Sequence, residues 1–364
     1  VLGGIGEMPD GMMSVVTQGS TDRDHQNFLN LMPLLRYDGN LEIEPYLAES
    51  WEVSPDGTEV TFHLRRDVLW HDGEQTDAQD VVFTYRAITD SGTGWPIPGD
   101  WLNYDLSGEG IELVDDFTVK VQLTPHLDFL DVWTYVAILP EHLLGEVPYS
   151  ELKRHPYGSQ CPVGNGPFVF ASHLPQDRWV FEANPGFPAA LGGRPFVDRY
   201  MYRIIPEQTT LFAELLTDGI DLYEQPPPDQ ATQIEDRAGV ELITFDYSSY
   251  VFVAWNGRIP QLSDARVRRA LTLGLNRVEI VQSTYRGYGM VANSGVPPAH
   301  WAFDAGIHEA AESDPERAAN LLEQAGWSDR DGDGVRENAE GTRLSISIKY
   351  NGGHQQRQDI AEIM

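Results

Sequence analysis

The sequence has a single cysteine, few lysines and no long apolar run, and each shortage excludes a class of protein. Cys161 is the only cysteine among 364 residues, so no disulfide can form within the chain. We expect a packed small residue at this position. The longest apolar runs, such as residues 135–139, are strand-sized, whereas a membrane-spanning helix needs roughly 20 apolar residues. The sequence therefore predicts no membrane span.

Basic residues are scarce, which argues against a nucleic-acid partner. The chain has 25 Lys and Arg against 56 Asp and Glu, giving a formal net charge of −31. Its lysines are Lys120, Lys153 and Lys349. A protein that neutralises a phosphate backbone needs a basic face, and none is visible in this sequence. The charge predicts an acidic, well-solvated surface, with attraction of cations as the alternative.

Catalytic motifs are also missing from the sequence. There is no Gly-x-Ser-x-Gly elbow, no His-Glu-x-x-His pair and no phosphate-binding loop ending in Gly-Lys. The segment Gly3-Gly4-Ile5-Gly6 is weak evidence for a nucleotide site, because no strand is predicted before it. We therefore expect a protein that is not an enzyme.

The first informative stretch predicts a β-hairpin with one buried face. Residues 54–57 read Ser-Pro-Asp-Gly, in which proline and glycine favour a tight turn. Residues 58–65 then alternate, with Val60, Phe62 and Leu64 on one face.

A helix and a further strand complete a first unit around this hairpin. Thr76 is a candidate N-cap, with Gln79 returning the bond three residues later. Residues 117–123 alternate as a strand. Residues 38–160 thus read as an α+β unit of their own. The apolar residues at helical spacing after the cap are Ala78, Val81, Val82, Tyr85 and Ile88.

A second unit of strands and helices follows a probable domain crossing. Residues 160–168 are dense in glycine and proline, which favours a passage between domains. Beyond it the pattern predicts a strand over residues 201–205, a helix over 209–216 and a short strand over 219–223. This alternation is typical of an α/β sheet covered by helices.

The remaining third of the chain predicts two strands, residues 251–255 and 344–348, and four helices. Residues 251–255 have the composition of a strand. Asp264 and Asn276 are N-cap residues for two helices, and Asp314 precedes a proline that starts a third. Residues 355–364 predict a last helix.

The order of short motifs resembles that of the bacterial extracellular solute-binding proteins of family 5, the peptide- and nickel-binding components of ABC importers. One departure is Asn165, where the family usually has threonine. The matching segments are PYLAESW at 45–51, SPDG at 54–57, FHLR at 62–65, WHDG at 70–73, DVV at 80–82, GNGPF at 164–168, GID at 219–221, ARVRRAL at 265–271 and DPERA at 314–318.

This resemblance implies an α/β, two-lobed periplasmic-binding-protein-like fold of type II with an extra α+β domain. The implied domains are 1–37 and 161–248 for the first lobe, 38–160 for the extra domain and 249–364 for the start of the second lobe. Family members continue for well over a hundred residues beyond the point that corresponds to Met364. We therefore expect the second lobe to be incomplete in this sequence and the main specificity residues to lie outside it.

The resemblance also implies a function. The protein is expected to be the extracytoplasmic component of an ABC importer, periplasmic or lipid-anchored, that captures a peptide or oligopeptide and delivers it to a membrane permease. It would need no cofactor and would be a monomer at full length. A sugar or a metal chelate is the alternative cargo, and a secreted peptide hydrolase is the rival class of protein.

Candidate ligand-binding residues lie in three segments of the chain. Gly164, Asn165 and Gly166 could bring backbone close to a ligand, with a plain tight crossing as the alternative. Trp255 and Asn256 end a predicted strand at the expected lobe boundary, although Trp255 also suits a core. The third segment is a loop rich in proline and glycine. Its two tryptophans would form either a lid or a local core, and they are Trp95 and Trp101.

One local motif predicts a metal site. Asp329, Asp331, Asp333 and Glu340 occupy the first, third, fifth and twelfth places of a calcium-binding loop, with Gly334 at the sixth. The loop leads into an alternating stretch predicted as a strand, residues 344–348, where an EF-hand would have a helix. The alternatives are a structural calcium ion and an acidic surface turn held by aspartate-to-backbone bonds.

Overall fold

The protein was analysed as a computed structural model. It describes residues 1–235, 237–245, 249–298, 300, 302–304, 306, 313–350 and 355–364. The chain divides into two compact units, Val1–Glu224 and Gln225–Met364. The predicted lobe boundary at residue 248 lies outside the described residues. None of the helices in these ranges is long and apolar enough to cross a membrane.

The first unit contains a five-stranded sheet of mixed direction in the order β12-β1-β11-β10-β9. Strand β1 lies parallel to both β11 and β12, whereas β10 is antiparallel to β9 and β11. The sheet buries Trp179, Phe181 and Tyr202. The strands are β1 Leu2–Gly4, β9 Phe168–Leu174, β10 Arg178–Ala183, β11 Arg199–Ile204 and β12 Leu222–Tyr223.

A second sheet in the same unit contains the predicted hairpin. Its order is β4-β5-β8-β6, with β7 also paired to β8. The predicted alternation is confirmed, because Val60, Phe62 and Leu64 are all at most 1% exposed. A separate pair, β2 with β3, completes the strands of this unit. The bounds are β2 Leu35–Tyr37, β3 Ile43–Pro45, β4 Ala48–Val53, β5 Glu59–Leu64, β6 Tyr104–Asp105, β7 Ile111–Asp115 and β8 Thr118–Leu123.

Helix α2, Ala78–Thr89, packs against this second sheet. Its N-cap is Asp77 and not the predicted Thr76, because Asp77 accepts the backbone N–H of Gln79 and of Asp80. The Asp80 side chain in turn accepts the N–H of Asp77, which completes a reciprocal capping box. Thr76 is fully buried instead.

The other helices of the first unit are short. The bounds of the α-helices are α1 Ser20–His25, α3 Glu141–Leu144 and α4 Gln208–Leu216. A π-helical turn, Gln26–Asn30, continues α1. The 3-10 helices of this unit are Ser14–Val16, Pro98–Trp101, Asp131–Thr134, Tyr149–Arg154, Pro156–Gly158 and Ala189–Leu191.

The regular elements among the described residues of the second unit are all helices. The predicted caps are confirmed, since the side chains of Asp264, Asn276 and Asp314 each accept a backbone N–H of the following helix. Helix α6 packs against α8 through Ala270 and Ala318. The elements are α5 Pro228–Ile234, a 3-10 turn Pro260–Leu262, α6 Ala265–Gly274, α7 Arg277–Tyr285, α8 Pro315–Gln324 and α9 Gln355–Ile363.

Three further sequence expectations are wrong. Residues 251–255 and 344–348 do not form strands, although isolated bridges join Ser328 to Glu337 and Glu337 to Arg343. A segment with the composition of a strand forms one only when a neighbouring strand pairs with it. Among the described residues of the second unit there is no strand that could do so. Cys161 is exposed and not packed.

Candidate ligand-binding site

The topology of the first sheet identifies one edge as a candidate site. Leu2 pairs with Tyr202 of β11 and with Leu222 of β12, both in parallel register. The carboxyl ends of β1, β11 and β12 therefore meet at the same edge. In open α/β sheets, ligands bind outside the carboxyl ends of the parallel strands.

At this edge the backbone of β1 packs unusually closely against the side chain of Tyr202. A Cβ atom on Gly4 would lie 2.3 Å from the Tyr202 hydroxyl oxygen, so β1 and this side chain pack only because residue 4 is glycine. The Tyr202 hydroxyl donates to the Gly6 carbonyl oxygen at 2.7 Å and holds the backbone as it leaves β1. Ile5, between these glycines, is 49% exposed. The edge therefore presents backbone and an apolar side chain to solvent.

A buried histidine, His25, packs against two tyrosines of β11 at this edge. The ring of His25 packs edge-on against Tyr200 and Tyr202, with centroids 5.6 and 4.7 Å away. Burial lowers the pKa of His25 to about 4, so its ring is neutral at pH 7. Its Nδ1–H donates to the Thr21 carbonyl at 2.7 Å, and its Nε2 accepts the Tyr200 hydroxyl at 3.1 Å. His25 therefore holds these two tyrosines in place, and neither of its ring nitrogens is free to act as a base.

Two exposed carboxylates give the edge its charge. Glu224 directly follows β12, and Asp24 lies in α1. Desolvation and then the charge of Glu224 raise the pKa of Asp24. Burial, with a further contribution from Glu224, raises the pKa of Tyr202 to about 12. The edge is thus acidic and aromatic, which suits a ligand that carries a positive charge or N–H donors.

A shallow cavity of about 250 Å³ lies elsewhere on the same unit. It is lined in part by Phe28, Tyr46, Phe187 and Phe196. The loop that carries the last two precedes β11, so the cavity lies toward the end of the sheet opposite the carboxyl edge. It is not part of the candidate site.

The predicted glycine segment contacts the protein's own backbone. A Cβ atom on Gly164 would lie 1.8 Å from the carbonyl oxygen of Asn30, and one on Gly166 would lie 2.6 Å from that of Leu29. Asn165 is 1% exposed, with its Nδ2 3.4 Å from Thr76 Oγ1. These residues therefore form a tight crossing, the alternative to ligand contact.

The two loop tryptophans are core residues and cannot act as a lid. Trp95 and Trp101 are 6% and 4% exposed. The ring of Trp101 lies 5.4 to 5.6 Å from those of Tyr85, Tyr104 and Trp133. This cluster anchors the loop to the second sheet, because aromatic edge-to-face packing adds to the burial of apolar surface.

Trp255 and Asn256 lie in the second unit and are partly or fully accessible. The indole Nε1–H of Trp255 donates to the hydroxyl of Thr272 on α6 at 2.9 Å, so the ring is held against this helix. Asn256 is exposed, and its Oδ1 accepts the backbone N–H of Arg258 at 3.0 Å. A ligand role for both stays a prediction.

The acidic loop brings three of its four predicted ligands together, and all three accept backbone N–H groups of the loop itself, as the surface-turn alternative predicts. Oxygens of Asp329, Asp331 and Asp333 all lie within 4.8 Å of one another. Glu340 is exposed and is not part of this group. Its backbone N–H instead bonds the side chain of Asn338, in a turn that leads back to the loop.

Comparison with known proteins identifies the family. Residues 42–364 match the model of the bacterial extracellular solute-binding proteins, family 5 (middle region). The chain belongs to this family. Its members are substrate-binding transport proteins, so the resemblance inferred from the motifs is confirmed.

Individual family members are similar over the whole chain. The oligopeptide-binding protein AppA of Bacillus subtilis is 30% identical over 372 aligned positions, covering 100% of this chain and 66% of AppA. The structure of AppA with a nonapeptide has a TM-score of 0.85 at 28% identity, covering 100% of this chain and 70% of that one. NikZ of Campylobacter jejuni with Ni(L-His) has a TM-score of 0.77 at 26% identity, covering 94% and 66%.

These structures confirm the predicted fold class, the two-lobed type II fold of the family 5 periplasmic binding proteins. The chain spans about two thirds of AppA and 56% of the dipeptide-binding protein of Escherichia coli, which is 28% identical over 79% of this chain.

The sequence reasoning missed the residues of the carboxyl edge, namely Ile5, Asp24 and Glu224. A signal was present in the glycines at positions 3, 4 and 6, which were considered only for nucleotide binding. Such glycines also mark a strand that approaches another element closely. Asp24 and Glu224 gave no comparable signal, because they are far apart in sequence and meet only through the sheet.

Proposed function

We propose that the protein is the extracytoplasmic substrate-binding component of an ABC importer, and that it captures a peptide or oligopeptide and delivers it to a membrane permease. The observation that supports this most is the similarity of the entire chain to AppA, whose structure contains a nonapeptide. In this proposal the protein is not an enzyme, needs no cofactor and is a monomer at full length.

The carboxyl edge of the first sheet would form one wall of the binding site. Peptides carry an ammonium group and a series of backbone N–H donors. The carboxylates of Asp24 and Glu224 and the exposed backbone after β1 match both kinds of group. Among the described residues no basic side chain forms an ion pair with Asp24 or Glu224, and the charge of Arg23 lowers the pKa of Asp24 less than desolvation and Glu224 raise it.

A metal chelate is the second candidate cargo. It is favoured by the similarity to NikZ, whose structure contains Ni(L-His). An acidic edge would attract a cationic complex as well as a peptide ammonium group.

Native mass spectrometry separates these possibilities. The full-length protein is purified from its source cell and measured directly, and again after incubation with a peptide mixture. Retention of intact peptides supports the proposal. A bound metal chelate supports the second candidate, and steady conversion of peptides to fragments would establish a hydrolase and overturn the transport role.

The edge itself is tested by charge removal. Asp24→Asn and Glu224→Gln should each weaken binding of a peptide with a free ammonium group by roughly tenfold, since each removes a charge that faces it. Glu112→Gln is the matched control, because Glu112 is an exposed carboxylate on β7 of the other sheet. If all three variants bind like the wild type, the carboxyl edge does not contact the ligand's charge.

A further inference from the structure

The cavity of about 250 Å³ on the first unit is built by three segments that are far apart in the chain. Arg36 lies in β2 and Tyr46 directly follows β3, the strand that pairs with β2. Phe28 belongs to the π-helical turn after α1. The remaining wall is residues 187–196, in the loop between β10 and β11. Because the fold itself brings these segments together, the cavity is not a feature of one surface loop.

Most side chains around the cavity are apolar, and several are aromatic. Tyr46 and Phe187 are 4% and 7% exposed and belong to its buried wall. Phe28 is 63% exposed and Phe196 is fully exposed, so both belong to its rim. Exposed aromatic side chains beside a concave apolar surface are typical of binding sites. Their exposure also allows both rings to change rotamer when a ligand enters.

The charged groups at the cavity neutralise one another. Arg36 donates from Nε to Glu44 Oε1 at 2.6 Å, and its Cζ lies 4.7 Å from the centre of the Tyr46 ring. Arg194 pairs through Nη2 with Asp198. Each guanidinium thus has its own carboxylate, although the chain as a whole has a net charge of −31. A charged ligand would therefore lose its hydration without gaining an unpaired opposite charge, which favours an uncharged one.

Asn27, on the cavity wall, provides independent evidence for a ligand. It is 6% exposed, and its Nδ2 donates to the Thr134 carbonyl oxygen at 3.4 Å. Its Oδ1 is buried and has no hydrogen-bond partner among the residues that the structure describes. A buried amide oxygen without a donor is costly, and an N–H group on a ligand would remove that cost.

We propose that this cavity binds a small uncharged aromatic amide, with its ring beside Phe187 and Phe196 and one N–H donated to Asn27 Oδ1. Pockets for drug-sized ligands measure about 300–1,000 Å³, so a cavity of about 250 Å³ suits a ligand of the size of one aromatic amino-acid residue. The site lies apart from the carboxyl edge of the first sheet and goes beyond the transport role.

Ligand-observed NMR titration of the 364-residue chain with N-acetyl-L-phenylalaninamide tests this site. We expect saturable binding with a Kd on the order of 1 mM, which an amide of this size reaches at the usual binding efficiency of small ligands. Phe196→Ala and Asn27→Leu should each weaken binding roughly fivefold, through loss of a ring contact and of a hydrogen-bond acceptor. Phe252→Ala is the matched control, because Phe252 is an exposed phenylalanine of the second unit.

Melting temperatures show whether each variant is folded. Phe196 is exposed, so Phe196→Ala keeps the test decisive even if Asn27→Leu fails to fold. Absence of saturable binding to the wild type, or wild-type affinity in Phe196→Ala, would overturn the site. An equal loss in Phe252→Ala would do the same, since it would mean that the probe adheres to any exposed ring. Unchanged affinity in a folded Asn27→Leu would overturn the role of Asn27.

Two further probes test the chemistry of the ligand. N-acetylglycinamide has the same amide groups without the ring and should bind far more weakly, and equal binding would overturn the aromatic assignment. Tri-alanine has a free ammonium group but no ring and should leave the bound probe in place. Displacement of the probe by tri-alanine would place the probe at the carboxyl edge and overturn the separate site.

Discussion

The buried carboxyl group of Asp22 should make the first unit less stable as the pH rises. Asp22 is 1% exposed. Its Oδ1 accepts the backbone N–H groups of Asp10 and Gly11, each at 3.0 Å, and so holds the loop that follows β1. Its Oδ2 has no hydrogen-bond partner among the described residues. Burial raises the pKa of this carboxyl from 3.8 to about 7. The informative change is Asp22→Asn, which keeps an acceptor for the two N–H groups but cannot ionise.

The magnitude follows from the difference in pKa between the folded and unfolded states. A folded pKa of about 7 against 3.8 in the unfolded chain means that the folded state binds the proton more tightly. This contribution to stability is fully present below about pH 3.8 and is lost as the pH rises through 7. A shift of about three units corresponds to about 4 kcal/mol. Burial lowers the pKa of His25, which gives the opposite slope, but His25 is common to both proteins.

Urea unfolding followed by tryptophan fluorescence, at a series of pH values from 4 to 8, measures the effect. The buried Trp70, Trp133 and Trp179 report on the first unit. The free energy of unfolding of the wild type, minus that of Asp22→Asn, should fall by about 4 kcal/mol across this range. A difference that does not change with pH would refute the reasoning, whatever its absolute value, because it would mean that Asp22 ionises in the folded state as easily as in the unfolded one.

Three further predictions concern packing and capping, and each is measured by the same unfolding assay at a single pH. Gly164→Ala should cost roughly 2 kcal/mol or more, because its Cβ would overlap a backbone carbonyl, whereas Gly39→Ala, with open space around it, should cost less than about 0.5 kcal/mol. Trp133→Ala should cost roughly 3–5 kcal/mol, because its ring is fully buried, and Leu102→Ala, 82% exposed, should be nearly neutral. Asp77→Ala should cost about 1 kcal/mol, through loss of the N-cap of α2, and an unchanged stability would show that Asp80 alone maintains the start of this helix.

The local elements of this protein could be predicted where a short-range rule decides them. The hairpin of β4 and β5 follows from a turn at residues 54–57 and an alternation that places Phe62 inward, both within a few residues of one another. The caps at Asp264 and Asp314 were predictable for the same reason, since the side chain bonds a backbone N–H two or three residues away. The ordered motifs of the family identified its fold class as well.

Other outcomes depended on contacts between residues far apart in the chain. Residues 251–255 have the composition of a strand but none of the described neighbours that would pair with it. From the sequence, Gly164 could contact either a ligand or another segment of the chain. In the structure it packs against the carbonyl of Asn30, so it belongs to a tight chain crossing. Trp101 lies in a loop that suits a lid, yet the rings of Tyr85 and Trp133 draw it into the core.

The acidic loop and the carboxyl edge of the first sheet show which features the sequence determined and which required the tertiary structure. The sequence alone determined that Asp329, Asp331 and Asp333 share one loop, because alternate residues around a glycine turn point the same way. The tertiary structure decided that Glu337, held by the bridge to Ser328, is the buried carboxylate beside them. It likewise decided that the ends of β1 and β12 meet at one edge. Turns and caps act over a few residues, whereas strand pairing joins residues 200 or more positions apart, and only the folded chain makes those pairs visible.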